Sequence, residues 1–99
     1  MLFMVIENFR NGDAAPVYRR YAEKGRMMPE GLKYLDSWVD ESLCRCFQLI
    51  ECNDPSLLRR WTECWDDLVD FEIVPVVTSK EAAERNAAFA DTTHKRERP

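Results

Sequence analysis

Three of the four cysteines fall within one ten-residue stretch, LCRCFQLIEC, residues 43–52. Clustered thiols can bind zinc or exchange disulfides, so this stretch is the first place to look for chemistry. On an extended strand Cys44 and Cys46 lie about 6.6 Å apart on one side, and Cys52 lies roughly 20 Å beyond Cys46. Because Zn–S bonds are about 2.3 Å long, one ion cannot bind all three. We therefore predict thiols of the core and sheet, and no metal site.

The residues needed for other common mechanisms are also missing. Cys64 falls on the apolar stripe of a predicted helix, where a free cysteine packs as a small hydrophobe. The only histidine, His94, lies in a polar terminal stretch, so neither a cysteine nor a serine nucleophile has an evident base. Three glycines, none closely spaced, do not make a phosphate-binding loop. The sequence assigns no catalytic residue, and we expect no cofactor.

The composition of the 99-residue chain is that of a globular domain with one modest core, with 45% hydrophobic and 32% charged residues. Its net charge of −4 argues against nucleic acid as a partner. No apolar run reaches the roughly 20 residues of a membrane span, and MLFMVIENF lacks the features of a signal peptide. We expect a cytoplasmic protein with reduced thiols.

Hydrophobic patterning and turn residues predict four strands and three helices. Asp13 is the predicted N-cap of the first helix, which Gly25 ends, and Thr78 and Glu81 form a capping box before a short alanine-rich helix that ends near Ala90. Pro75 cannot donate a ladder hydrogen bond and places the fourth strand at a sheet edge. The predicted strands are residues 2–9, 32–40, 43–52 and 71–77, with a helix from about 55 to 68 between the last two. The order is β-α-β-β-α-β plus a C-terminal helix, an α+β ferredoxin-like domain over residues 1–90 followed by a flexible polar tail, 91–99.

The first and fourth predicted strands are apolar on both sides, whereas a sheet with one solvated face alternates. Something must therefore cover the second face of the sheet. We favour a homodimer in which two sheets pack face to face and enclose a barrel. In the alternative, a monomer, the C-terminal helix folds over the sheet, although its alanines bury little area.

The strand pattern suggests a register and a division of side chains between the two faces. Met4 and Ile6 are placed beside Leu49 and Phe47, on the face that covers the helices. The residues that alternate with these along each strand then point to the barrel face, and Phe3, Val5 and Ile50 are among them. The candidate ligand pocket on that face consists of Glu7, Tyr34, Asp36, Trp38, Cys46 and Gln48. A slip of one residue would reverse the whole assignment.

The stretches MLFMVIENF, MPEGLKYLDSW and RCFQLIEC resemble a family of small bacterial proteins known only as a domain of unknown function. Members of that family resemble the dimeric α+β barrel group. The resemblance covers most of residues 1–77 and implies the fold and the pairing of two chains. It implies no activity, because that group includes oxygenases, isomerases and plain binding modules.

Three functions remain open at this level. The chain is a homodimeric module that binds a small, partly apolar ligand in the barrel, or a cofactor-independent enzyme with Glu7 or Asp36 as general base. In the third hypothesis it is a purely structural or interaction dimer with a filled barrel. A buried carboxylate beside an empty pocket would favour the enzyme.

Overall fold

A computed structural model describes residues 1–89 and has an α+β fold. Its elements are β1 (Leu2–Phe9), a one-turn 3-10 helix (Arg10–Gly12), α1 (Ala15–Lys24), β2 (Lys33–Val39), β3 (Arg45–Glu51), α2 (Ser56–Thr62), β4 (Val69–Val76) and α3 (Ser79–Phe89). The sheet order is β2-β3-β1-β4, with every neighbouring pair antiparallel. This is the ferredoxin-like arrangement, with one additional helix, that the sequence predicts. The predicted tail, 91–99, lies outside the described residues.

The predicted strand register is confirmed in the centre of the sheet. Met4 lies opposite Leu49, and Ile6 lies opposite Phe47. The fourth strand is at an edge, as Pro75 predicts, and pairs only with β1 among the described strands.

The predicted division of the two faces is wrong for β1, β3 and Tyr34, although Asp36 and Trp38 lie on the face away from the helices, as predicted. Phe3, Val5 and Glu7 point toward the helices and are buried, while Met4 and Ile6 lie on the open face and are partly exposed. Both sides of β1 are apolar, so its pattern contains no period-two signal that distinguishes one face from the other. The amphipathic helices α1 and α2 cover the odd-numbered side of β1.

The structure also divides β2 between the two faces, because Leu35 is an extra residue in the ladder with β3. Tyr34 lies opposite Ile50, whereas Asp36 lies opposite Leu49. A bulge of this kind shifts the alternation by one residue. Tyr34 therefore belongs to the helix-covered face, while Asp36 and Trp38 lie on the open face, where the Trp38 side chain is 50% exposed.

The hydrophobic core lies between the sheet and the helices α1 and α2. Trp61 of α2 is its largest fully buried side chain, at 1% exposure. The buried apolar residues are Phe3, Val5, Phe9, Val17, Ile50, Cys52, Leu58, Trp61, Trp65 and Val69.

Two of the predicted helix boundaries are confirmed and two are wrong. Gly25, with φ of 68°, ends α1, and the Thr78 hydroxyl accepts the Glu81 N–H at 3.1 Å at the start of α3. The N-cap of α1 is Ala14 and not Asp13, although an Asp13 side-chain oxygen accepts the Ala15 N–H at 3.1 Å. The helix α2 ends at Thr62, well before the predicted position.

The chain beyond α2 continues in turns to Leu68 rather than as a helix. Trp65 and Leu68 still pack on the core, but Cys64 is exposed. The prediction that Cys64 packs on an apolar helix stripe is therefore wrong, because that stripe is not helical at this position.

The terminal helix α3 buries little of itself. From Ser79 to Ala87 its side chains are exposed, apart from partly buried Ala82 and Ala83. None of the described helices is both long enough and apolar enough to span a membrane.

Candidate functional site

A cavity of about 120 Å³ lies between the helix-covered face of the sheet and the helical layer. Strands β1, β2 and β3 form its floor, and α1, the segment after α1, α2 and the turns that follow α2 form its walls. Its lining residues are Glu7, Phe9, Val17, Tyr18, Tyr21, Arg26, Ser37, Val39, Cys46, Gln48, Trp61 and Trp65.

A chain of polar side chains crosses this cavity. The Gln48 side-chain amide donates a hydrogen bond to a Glu7 carboxylate oxygen at 2.5 Å. The Nε of Arg26 in turn donates to the Gln48 amide oxygen at 3.3 Å. Glu7 and Gln48 are the buried polar residues of the described chain, at 8% and 6% exposure. The three side chains form one hydrogen-bonded network, in which the Gln48 amide links the Glu7 carboxyl group to the Arg26 guanidinium.

Arg26 is held in place through both its backbone and its side chain. Its carbonyl oxygen accepts hydrogen bonds from the indole N–H groups of Trp61, at 2.8 Å, and Trp65, at 3.0 Å. The guanidinium carbon lies 4.0 Å from the ring centre of Tyr34 and 5.3 Å from that of Tyr21. Stacking on aromatic rings favours a planar guanidinium and limits its rotation. The guanidinium is therefore held in one orientation by its aromatic neighbours.

Burial raises the pKa of Glu7 from 4.5 to about 7. The loss of hydration is the largest cause, because it disfavours the ionised carboxylate. The hydrogen bond from Gln48 and the positive charge of Arg26 act in the opposite direction but do not outweigh it. Near neutral pH Glu7 is thus present in both protonation states, a condition suited to donating or accepting a proton.

The thiols of the predicted cysteine cluster are separated in the structure. Burial, reinforced by the charge of Glu7, raises the pKa of Cys46 to about 12, so its thiol is neutral and a poor nucleophile. Cys44 instead lies near the carbonyl oxygens of Gly12 and Ser42. All four cysteines are free. Within residues 1–89 no three or more His, Cys, Asp or Glu side chains are grouped so as to hold a metal ion.

The structure brings together only part of the predicted ligand pocket. Glu7, Cys46 and Gln48 line one cavity. Tyr34 does not line it, but its ring stacks on the guanidinium of Arg26, which does. Asp36 and Trp38 lie on the opposite face of the sheet, because the bulge at Leu35 reverses the alternation of β2. The cavity is therefore under the helices and does not lie between two sheets.

Sequence reasoning missed Arg26, Tyr21 and the two tryptophans as cavity residues. Arg26 directly follows Gly25, which ends α1, and it lies 22 positions from Gln48 in the chain. Trp61 and Trp65 are buried in the core, where an apolar side chain would also be expected. The remaining signal was weak: an indole N–H in a core needs an acceptor, and here both groups share the Arg26 carbonyl.

A second depression lies on the same side of the sheet, toward β4. Its volume of about 360 Å³ exceeds that of the main cavity, but it is more open to solvent and mainly apolar, and Arg59 is the one charged residue among the described residues that line it. Ile73, which is 38% exposed, belongs to this groove and does not line the main cavity.

Comparison with known proteins places the chain in a family. It belongs to the family described as Domain of unknown function (DUF3303), whose sequence profile matches residues 1–90. A search of the curated proteins found no match. Among solved structures the chain is similar to one described as "Crystal structure of antibiotic biosynthesis monooxygenase". The two share 24% identity over 79% of this chain and 100% of that chain, with a TM-score of 0.44. The family resemblance predicted from the sequence is confirmed.

Proposed function

We propose that this member of the DUF3303 family binds a small, partly apolar molecule in the cavity between its sheet and its helices. The observation that carries the proposal is a buried carboxyl group, Glu7, in the lining of a cavity with aromatic walls. Ligand sites combine apolar walls with a few converging polar groups. Burying a carboxyl group costs stability, and such costs are concentrated at functional sites.

The dimensions of the cavity restrict its ligand to a small molecule. Drug-sized ligands fill pockets of about 300–1,000 Å³, whereas this cavity measures about 120 Å³. An apolar cavity of about 150 Å³ is known to hold benzene. We therefore expect a ligand of about one ring, with any larger part projecting past the cavity mouth.

Binding can be tested by intrinsic fluorescence, because Trp61 and Trp65 line the cavity. A set of one-ring probes is titrated into the wild-type protein and into a blocked variant, Val39→Trp. Val39 lines the cavity on edge strand β2 and is 37% exposed, so the larger side chain can be accommodated. The matched control is Ile73→Trp, at 38% exposure on the same face but outside the cavity. Binding that Val39→Trp abolishes and Ile73→Trp preserves supports the proposal. Equal binding to all three proteins contradicts it.

A second candidate function is proton transfer by Glu7 in a cofactor-independent enzyme. The observation in its favour is the pKa of about 7, which places Glu7 near the optimum for a general base at neutral pH. Exchange of the α-hydrogens of acetophenone for deuterium in D₂O, followed by NMR, measures such a transfer. We expect Glu7→Gln to lose the exchange. Exchange at the same rate in both proteins would show that Glu7 is not the base.

We further propose that the chain forms a homodimer through the open face of its sheet. The apolar side chains on that face are Leu2, Met4, Ile6, Trp38, Phe47, Leu49, Val74 and Val76. Polar residues such as Asp36 and Glu72 lie among and around them, an arrangement common at interfaces. The exposure of α3 between Ser79 and Ala87 also supports this reading over a monomer whose terminal helix covers the face.

Sedimentation across a range of protein concentrations tests this pairing. We expect a dimer for the wild type and dissociation for Leu49→Asp, which places a charge in the apolar centre. A wild-type monomer at micromolar concentration, with the helix α3 protected from proteolysis, would support the alternative.

We also infer that the protein is cytoplasmic, which is consistent with its four free thiols. Fractionation of cells that express the protein tests this inference.

A further inference from the structure

We propose that the ligand of the cavity is a small carboxylate with a flat apolar body, and that its anionic group binds the guanidinium of Arg26. The inference rests on the proposed ligand-binding function and specifies the chemical class of the ligand. It follows from the charge of the cavity lining, from the free donors of Arg26 and from the shape of the walls.

Among the described residues Arg26 is the only cation that lines the cavity, and no carboxylate oxygen forms a direct ion pair with it, whereas Arg10, Arg20, Arg45 and Arg85 each have one. Glu7, the carboxyl group of the lining, is linked to Arg26 only through the Gln48 amide. A half-buried guanidinium without a direct ion pair has lost hydration that an anion can replace.

The donors of Arg26 are only partly used. Its Nε donates to Gln48, and Nη1 reaches the Tyr21 hydroxyl at a long 3.4 Å. No residue from 1 to 89 accepts a hydrogen bond from Nη2. A carboxylate can bind the two Nη groups side by side, the geometry in which arginine is most effective. Stacking on Tyr34 holds the plane of the guanidinium, which reduces the entropy lost on binding.

The rest of the cavity favours a flat apolar body over a second charged group. Phe9, Val17, Val39, Trp61 and Trp65 form its apolar walls. The volume of about 120 Å³ suits one planar ring. A carboxylate on such a ring places its charge at one end and its apolar surface at the other.

Glu7 would repel an anionic ligand if both were ionised. The ionisable groups that face Glu7 are Arg26 after α1, Tyr18 on α1 and Cys46 on β3. Its β4 neighbour, Phe71, is apolar, and α2 contributes Trp61 to the cavity. Because its pKa is about 7, Glu7 can take up a proton when the ligand binds. The protonated acid then no longer repels the ligand and can donate a hydrogen bond.

The test compares three probes of one size at about pH 7: benzoate, neutral benzamide and cationic benzylammonium. We expect benzoate to bind more tightly than benzamide by roughly 10- to 100-fold, the range of a charge-assisted hydrogen bond. If benzamide or benzylammonium binds as well as benzoate or better, the carboxylate inference is wrong while the ligand-binding proposal stands. If no one-ring probe binds, the proposed function itself fails.

Two variants separate the guanidinium from general charge effects. Arg26→Gln should reduce benzoate affinity to about that of benzamide, and it keeps the backbone carbonyl that both tryptophans require. Arg19→Gln removes an exposed charge of α1 outside the cavity lining and should leave the affinity unchanged. An equal loss in both variants, or none in Arg26→Gln, overturns the assignment. Thermal melts and far-UV dichroism identify a variant that fails to fold, in which case Arg26→Lys replaces it.

Uptake of a proton by Glu7 when benzoate binds is a second measurement, independent of the affinity. If Arg26 had only a structural role, benzoate binding would not change the protonation of Glu7. Calorimetry of benzoate binding in buffers of different ionisation enthalpy should show about half a proton taken up at about pH 7, and more at about pH 8.5. Glu7→Gln should abolish this uptake and retain or improve benzoate affinity. Binding without proton uptake in the wild type would exclude the role assigned to Glu7, and a loss of benzoate binding in Glu7→Gln would contradict like-charge repulsion.

Discussion

Replacing Glu7 by Gln should change how the stability of the protein depends on pH. The pKa of Glu7 is raised from 4.5 to about 7, so the folded protein binds this proton more tightly than the unfolded chain does. Such a group contributes stability that is fully present below the unfolded pKa and is lost as the pH rises through the folded one. At 1.36 kcal/mol per pKa unit, the loss between pH 4.5 and about 7 is about 3 kcal/mol.

The Gln variant does not titrate, so this contribution is absent from its unfolding free energy. The wild type should therefore lose about 3 kcal/mol relative to Glu7→Gln as the pH rises across that window, and the difference should then stay constant. Carboxyl groups elsewhere, such as Asp40 with its lowered pKa of about 2, are the same in both proteins and cancel. The new amide can still accept the hydrogen bond from Gln48, which keeps the comparison conservative.

Urea unfolding followed by tryptophan fluorescence, at fixed protein concentration and several pH values, measures this difference. Glu30→Gln removes an exposed carboxyl group outside the cavity and serves as the matched control. Its pH dependence should follow that of the wild type. A difference between wild type and Glu7→Gln that stays flat across the window would refute the reasoning, and would mean that Glu7 is hydrated or fully paired in solution.

Three further predictions concern other parts of the chain. Leu49→Asp should weaken self-association by sedimentation, because it places a charge in the centre of the open sheet face, and unchanged association would exclude that face. Cys64 should react first with a thiol reagent near neutral pH, since it is exposed while Cys46 is partly buried with a pKa of about 12; a fast phase that survives in Cys64→Ser would contradict this. Gly31→Ala should lower the free energy of unfolding by roughly 1–3 kcal/mol. The reason is that Gly31 has φ of 102° and an added Cβ would lie 2.6 Å from Leu57 Cδ1. Equal urea midpoints for this variant and the wild type would refute the prediction.

Local signals in the sequence were sufficient for the elements and their order. The apolar runs, the residue pairs at helix ends and the position of Pro75 act over a few residues, so they can be interpreted without the fold. They predicted the ferredoxin-like order, the edge position of β4 and the pairing of Met4 with Leu49. The turns after Thr62 are the exception, because an apolar spacing of helical type continued where the helix did not.

The faces of the sheet and the cavity were decided by tertiary structure. A strand that is apolar on both sides, like β1, has no alternation to indicate which side the helices cover, so Glu7 was assigned to the wrong face. The bulge at Leu35 then separated Tyr34 from Asp36, although the two have the same parity in sequence. Arg26 reaches Gln48 from a segment 22 residues away, and hydrogen bonds from Trp61 and Trp65 to its carbonyl oxygen help to hold it there. Contacts between segments that are distant in the chain depend on how the sheet and the helices pack together. The spacing of residues along one strand does not determine that packing.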